Sequence, residues 1–221
     1  TGRDYAGARA ALRDFPLICD YVVASGAEIR DPQGNILQSI PMDRSLFPEI
    51  FAMVRGKYRD QAFLRFCANG KDCFVGTEEM VRRQTAMEAS LFLGHDAGMS
   101  EEELADLWKK LTHSQIMIVD SVEALAALEE PIYKVFITSG DEAVIAALTE
   151  EMKAIPTIAA ASSFTGNLEL TDVRAQKGPA LAAYVQSLGY GMEEVMVLGD
   201  SMNDYSMLSM DFGATVAMGN A

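Results

Sequence analysis

Residues 195–204, Val-Met-Val-Leu-Gly-Asp-Ser-Met-Asn-Asp, constrain this chain more than any other stretch. Four apolar residues, two of them β-branched, predict a short buried strand that stops at Gly199. Asp200, Asn203 and Asp204 follow, where the strand gives way to a turn and a helix over residues 205–210. Carboxylates just past the carboxyl end of a buried parallel strand stand where open α/β sheets place their ligands. Hard oxygen donors there suit Mg²⁺, which is held by one or two carboxylates, waters and substrate phosphate. Asp, Ser and Asn are also ordinary turn formers, so the string alone reads equally as a capped strand-to-helix turn.

Two other places break that tie. Gly199-Asp200-Ser201-Met202-Asn203-Asp204 resembles the fourth motif of the haloacid dehalogenase-like phosphatases, in the form of their Cof-type branch. Ala175-Gln176-Lys177-Gly178-Pro179-Ala180-Leu181 resembles the third motif, a lysine and glycine opening a helix, and Thr1-Gly2-Arg3 resembles the second. The matches fall in family order across nearly the whole chain. The resemblance implies an α/β fold: a Rossmann-like core with a parallel sheet and an inserted α/β cap.

It also implies roles. Asp200 would hold Mg²⁺, with Asp204 as a further ligand or as the group that orients the first. Lys177 would steady nucleophile and phosphate as a point charge, its place before a helix offering free backbone N–H groups to an anion. The Thr1 hydroxyl and Gly2 backbone would contact the phosphate, and Asn203 would donate its amide. The family's nucleophile, the first Asp of an Asp-x-Asp-Gly-Thr stretch, does not occur in these residues and is expected upstream of Thr1. Both ends look cut, since the family continues beyond residues 214–218 as well. After the strand read at residues 21–24 the branch usually has Asn-Gly-Ala; here Ser25 replaces the Asn.

A net charge of −14 argues against nucleic acid or an anionic membrane as partner. It also obliges a phosphate site to reverse the sign locally, with a metal ion, Lys177 and Arg3 as candidates. No apolar run approaches the ~18 residues of a membrane helix. Cys19, Cys67 and Cys73 lack metal spacing and cannot all pair, so they read as reduced thiols of a cytoplasmic protein.

Along the chain, Tyr5, Ala8 and Leu12 lie at helical spacing, residues 21–24 read as a strand, and residues 31–35 as a hairpin turn. Helices are expected over residues 46–54, from Thr77, behind the capping box Ser100–Glu103, and over 121–128 and 141–152. Strands are expected at 63–67 and 73–75 around Asn69-Gly70, and at 116–119, 133–138, 158–161 and 168–170. Leu181, Tyr184, Val185 and Leu188 are expected to face the core until Gly189 ends their helix. The core is then residues 1–41 and 172–221, and the cap residues 42–171. Glu169, beside the turn 162–167 where the chain re-enters the core, is a candidate substrate contact. His95 and His113 stand alone.

The leading expectation is Mg²⁺-dependent hydrolysis of a small phosphorylated metabolite, a sugar phosphate or similar, through an aspartyl-phosphate. The protein is expected as a monomer or small homo-oligomer. A phosphosugar mutase and a non-catalytic phosphate-binding relative are the alternatives of the same lineage. A third reading makes Thr1 an amino-terminal nucleophile with its own amine as base.

Overall fold

A computed structural model of the chain describes residues 1–93 and 98–219. Helix α1 (Tyr5–Leu12) begins where the Asp4 carboxylate accepts the Gly7 N–H at 2.7 Å. Strands β1 (Tyr21–Val23), β2 (Glu28–Arg30) and β3 (Ile36–Ser39) then form an antiparallel sheet. The turn between β2 and β3 is closed by Asp31, which accepts the N–H groups of Gln33 and Asn35. Helix α2 (Phe47–Ala52) runs on into a wider π-helical turn over Met53–Lys57.

Next come β4 (Phe63–Ala68), β5 (Lys71–Val75), α3 (Glu78–Phe92), α4 (Glu101–Thr112), β6 (Gln115–Val119) and α5 (Val122–Ala126). They are followed by β7 (Lys134–Thr138), α6 (Glu142–Lys153), β8 (Ile158–Ala161) and β9 (Asn167–Asp172). Six of these strands make one sheet in the order β6-β5-β4-β7-β9-β8, antiparallel except between β5 and β6. Helix α7 (Lys177–Ser187), β10 (Met196–Gly199), α8 (Tyr205–Leu208) and β11 (Ala214–Ala217) complete the chain, with β10 and β11 parallel. The capping box at Ser100, the Asn69-Gly70 hairpin and the helix beginning at Thr77 stand as the residues predict, and Asp141 caps α6.

Side chains alternate across the large sheet, as a period of two requires. Leu64 and Phe66 of β4, Val135 and Ile137 of β7, and Leu168 and Leu170 of β9 point into the main core, against α2, α5 and α6. The opposite face carries Arg65, Phe136 and Glu169. The register sets these three in a row, Arg65 opposite Phe136 and Phe136 opposite Glu169. That polar row faces the functional cleft.

Two details depart from what the residues predict. Strand β10 is buried on one face only: Val197 packs with Ala182 and Phe212, while Met196 and Leu198 are more than half exposed. Leu188 is half exposed too, because α7 buries its small residues Gly178, Ala180 and Ala182 instead. Close approach explains that choice, since a Cβ on Gly178 would lie 1.9 Å from the Ser206 carbonyl oxygen. His113 is the left-handed residue that ends α4, and His95 lies outside the described residues. Among the described residues no helix is long and apolar enough to cross a membrane.

Candidate functional site

The turn after β10 builds the site's floor. A Cβ on Gly199 would fall 2.5 Å from the Asp204 Cβ, so only glycine lets the chain fold back there. Asp204 then accepts the N–H groups of Asp200 and Ser201 on Oδ2, at 3.0 and 3.2 Å. Its Oδ1 receives the Lys177 ammonium at 2.5 Å. Burial pushes the Asp204 carboxyl up, but Lys177 and those two N–H groups outweigh it and hold the group below the usual carboxylate range. With both oxygens engaged, Asp204 orients the turn and the lysine.

Lys177 is the first residue of α7 and is buried, its Nζ also 2.8 Å from Asn203 Oδ1. The free helix N–H groups expected beside it are largely spent. Gly178 N–H donates to Ser206 Oγ at 3.2 Å, Ala180 N–H donates to the Gln176 carbonyl, and Pro179 has none. The ammonium, rather than the helix end, is thus the positive group left facing the cleft. Asn203 Oδ1 takes bonds from Lys177 and Ser201 Oγ, which leaves its Nδ2 turned toward Gly2, 3.5 Å from where a Gly2 Cβ would lie.

Thr1 and Gly2 thus meet the Lys177–Asp204 pair from the far end of the sequence. The Thr1–Arg3 segment lies along β1, with the Thr1 nitrogen donating to the Val22 carbonyl at 2.9 Å. Thr1 and Arg3 carbonyls accept the Ser25 and Ala24 N–H groups. Ala24 and Ser25 hold positive φ, 49° and 60°, a strained pair of the kind found at functional sites. Asp200 stands alone among these groups: its side chain is exposed, lines the cleft, and accepts no hydrogen bond from any described residue. One unpartnered carboxylate, with phosphate oxygens and waters to complete the shell, is a donor set suited to Mg²⁺. No cluster of three or more His, Cys, Asp or Glu is gathered for a metal among the described residues, so a closed protein cage is not the pattern here.

The cleft above these groups has a volume of about 870 Å³. Thr1, Lys177, Asp200 and Asn203 line one side, and Arg65, Glu88, Trp108, Lys134, Phe136 and Glu169 line the other. Arg65 is clamped by Asp72 at 3.2 Å and Glu88 at 2.8 Å, and its guanidinium lies over the rings of Phe136 and Trp108. Glu88 also receives Trp108 Nε1 at 2.9 Å; burial pushes its carboxyl up despite Arg65. The sequence reading places Glu169 on the substrate. Its side chain is in the cleft wall, fully enclosed in β9, with Oε2 bonded to Lys134 at 3.1 Å and to Ser25 Oγ at 3.3 Å.

Arg65, Glu88, Trp108 and Lys134 went unnoticed in the sequence. A signal exists for two of them: Arg65 and Lys134 interrupt otherwise apolar strands, Phe-Leu-Arg-Phe and Tyr-Lys-Val-Phe. A buried charge in such a run needs a partner and a reason. Cys19, Cys67 and Cys73 are all unpaired.

The cleft lies past the carboxyl end of a parallel strand, where α/β folds commonly place their ligands, and residues of the large sheet line its other side. The chain belongs to the haloacid dehalogenase-like hydrolase family, whose family model matches residues 1–221. Phosphatase YwpJ of Bacillus subtilis is 26% identical over 228 residues, an alignment spanning 100% of this chain and 76% of that protein. An HMP-PP phosphatase of Cronobacter sakazakii is 27% identical over 221 residues, spanning 100% of this chain and 70% of that one. A solved haloacid dehalogenase-like hydrolase from B. subtilis superposes with a TM-score of 0.80 at 21% identity, over 100% of this chain and 76% of the other.

Proposed function

We propose that this chain is the greater part of a Mg²⁺-dependent phosphatase acting on a small phosphorylated metabolite, a sugar phosphate or a compound of similar size. The observation that carries the reading is the Asp200 carboxylate, unpartnered and facing a cleft where Lys177, Asn203, Gly2 and Thr1 converge. Residues 42–171 would form the cap and residues 1–41 and 172–221 the core, the large sheet reaching one residue past that boundary at Asp172.

In this reading Asp200 would hold Mg²⁺, which would supply Lewis-acid polarisation of the phosphoryl group and offset its charge. Lys177 Nζ, fixed by Asp204, supplies a placed positive charge to the phosphate oxygens and to the attacking carboxylate. The Thr1 hydroxyl, the Gly2 N–H and the Asn203 amide donate to the remaining oxygens. The attacking group would be an aspartate of a preceding segment in the intact protein. Its oxygen displaces the substrate alcohol from phosphorus, and water then cleaves the acyl phosphate. The cap wall excludes bulk water and meets the leaving group with Arg65, Glu88 and the aromatic rings.

The protein carrying the upstream segment is expected to hydrolyse p-nitrophenyl phosphate only with Mg²⁺ and to stop when EDTA is added. Residues 1–221 alone are expected to be inactive. Turnover by the intact protein that ignores EDTA would refute the metal assignment, and equal turnover by residues 1–221 would refute the upstream nucleophile.

A further inference from the structure

Lys134 lies on the large sheet, yet its ammonium reaches the Gly2 carbonyl at 3.0 Å. The three carbonyls of the Thr1–Arg3 segment are each held. Ser25 N–H takes that of Thr1 at 3.0 Å and Ala24 N–H takes that of Arg3 at 2.7 Å, both from the left-handed turn. For the middle one, Lys134 is the only donor among the described residues. The other end of the same peptide, the Arg3 N–H, points the opposite way and donates to Thr1 Oγ1 at 3.3 Å. A trans peptide carries its C=O and N–H in opposite directions, so fixing one fixes the other.

Gly2 makes that peptide easy to rotate, since glycine populates both signs of φ. A rotated peptide would withdraw its N–H from Thr1 Oγ1. The hydroxyl would then be free to turn its proton away from the cleft and its lone pairs toward the anion.

We propose that Lys134 is a positioning residue: by clamping the Gly2 carbonyl it aims the Arg3 N–H at Thr1 Oγ1, so that the Thr1 hydroxyl proton is left for the substrate phosphate. The inference rests on the phosphatase reading above. Glu169 makes the clamp workable. It neutralises Lys134 at 3.1 Å, so the pair adds no net charge beside the phosphate, and it ties Ser25 Oγ into the same assembly. Burial lowers the Lys134 ammonium's proton affinity, but Glu169 more than restores it, which keeps all its donors available. The clamp crosses from the large sheet to the Thr1 segment, so the direction of the Thr1 hydroxyl depends on how that sheet sits over the core.

The test is a mutant cycle in the intact protein with p-nitrophenyl phosphate: wild type, Thr1→Val, the pair variant Lys134→Met/Glu169→Gln, and all three changes together. The pair variant removes both charges at once, leaving no buried ion unpaired. We expect it to lower kcat by about 10-fold or more, with KM changed by less than about 3-fold, as for a donor lost in the transition state. In the Thr1→Val background the same two changes are expected to cost almost nothing, because the hydroxyl they position is already gone. Lys134→Arg, which keeps a donor for Gly2, is expected to retain most of the activity. If the pair variant fails to fold, Lys134→Gln takes its place, leaving Glu169 a polar neighbour while its shorter reach releases Gly2.

Losses that multiply independently in the two backgrounds would overturn the positioning role, as would a folded pair variant with wild-type kcat. If the wild type itself showed no Mg²⁺-dependent hydrolysis, the phosphatase reading would fall first, a result the cycle keeps separate from failure of the clamp.

Discussion

Asp200→Asn in the intact protein is expected to remove Mg²⁺-dependent hydrolysis, by about three orders of magnitude, without lowering the melting temperature. The two halves of that expectation come from the same geometry. The Asp200 carboxylate is exposed and bonded to no described residue, so the fold does not depend on it. Its backbone N–H, which the fold does use, is unaffected by the change. Removing the one free carboxylate of the proposed metal site, in contrast, forfeits several kcal/mol of charge stabilisation, and each ~1.4 kcal/mol is tenfold in rate. Activity and stability measured on one preparation would separate these effects. A variant that kept its rate would end the metal assignment, and one that melted much earlier would mean that Asp200 is a structural residue.

Lys177→Met is expected to damage both properties. The lysine is the charge partner of a buried carboxylate, and breaking such a pair costs about 3–5 kcal/mol. The N–H groups of Asp200 and Ser201 still serve Asp204, so the low end applies. For a chain of this size, about 3 kcal/mol corresponds to a melting temperature lower by roughly 6–12 °C. The rate is expected to fall by about two to three orders of magnitude, as for other preorganised donors to developing charge. pH supplies the sign. The Asp204 carboxyl is held below its ordinary range in the folded protein, so the stability it contributes is complete above about pH 4 and is lost as pH falls through its folded value. The wild type's advantage over Lys177→Met should therefore be full at neutral pH and shrink toward pH 3. A constant difference down to pH 3 would contradict the pairing.

What was legible in the sequence was local, or carried by motifs. Strand and helix positions followed from periodicity, and the Asn69-Gly70 hairpin and the Ser100 capping box from the special backbone those residues satisfy. The motifs at Thr1-Gly2, Lys177-Gly178 and Asp200-Asp204 resemble those of one family site, and in the fold Thr1, Gly2, Lys177, Asp200 and Asp204 line one cleft. What was not legible depends on which strands become neighbours. The row Arg65–Phe136–Glu169 exists only because β4, β7 and β9 lie side by side, although no two of them are consecutive along the chain. Lys134 reads locally as an interruption in a strand; its purpose, 132 residues away at Gly2, is a tertiary fact. The exposure of Met196 and Leu198 escaped for a similar reason, since a short apolar run does not say how many of its faces are covered.

In the proposed site Asp200 and Lys177 serve one phosphate and its metal. A crystal of the protein soaked with MnCl₂ and inorganic phosphate tests it most directly, because Mn²⁺ stands in for Mg²⁺ at oxygen sites and its anomalous scattering marks its position without ambiguity. A single strong peak is expected roughly 2.1 Å from an Asp200 carboxylate oxygen, bridged by a phosphate whose other oxygens lie roughly 3 Å from Lys177 Nζ and Thr1 Oγ1. A peak elsewhere in the cleft, or a phosphate seated against Arg65 with Lys177 untouched, would contradict it.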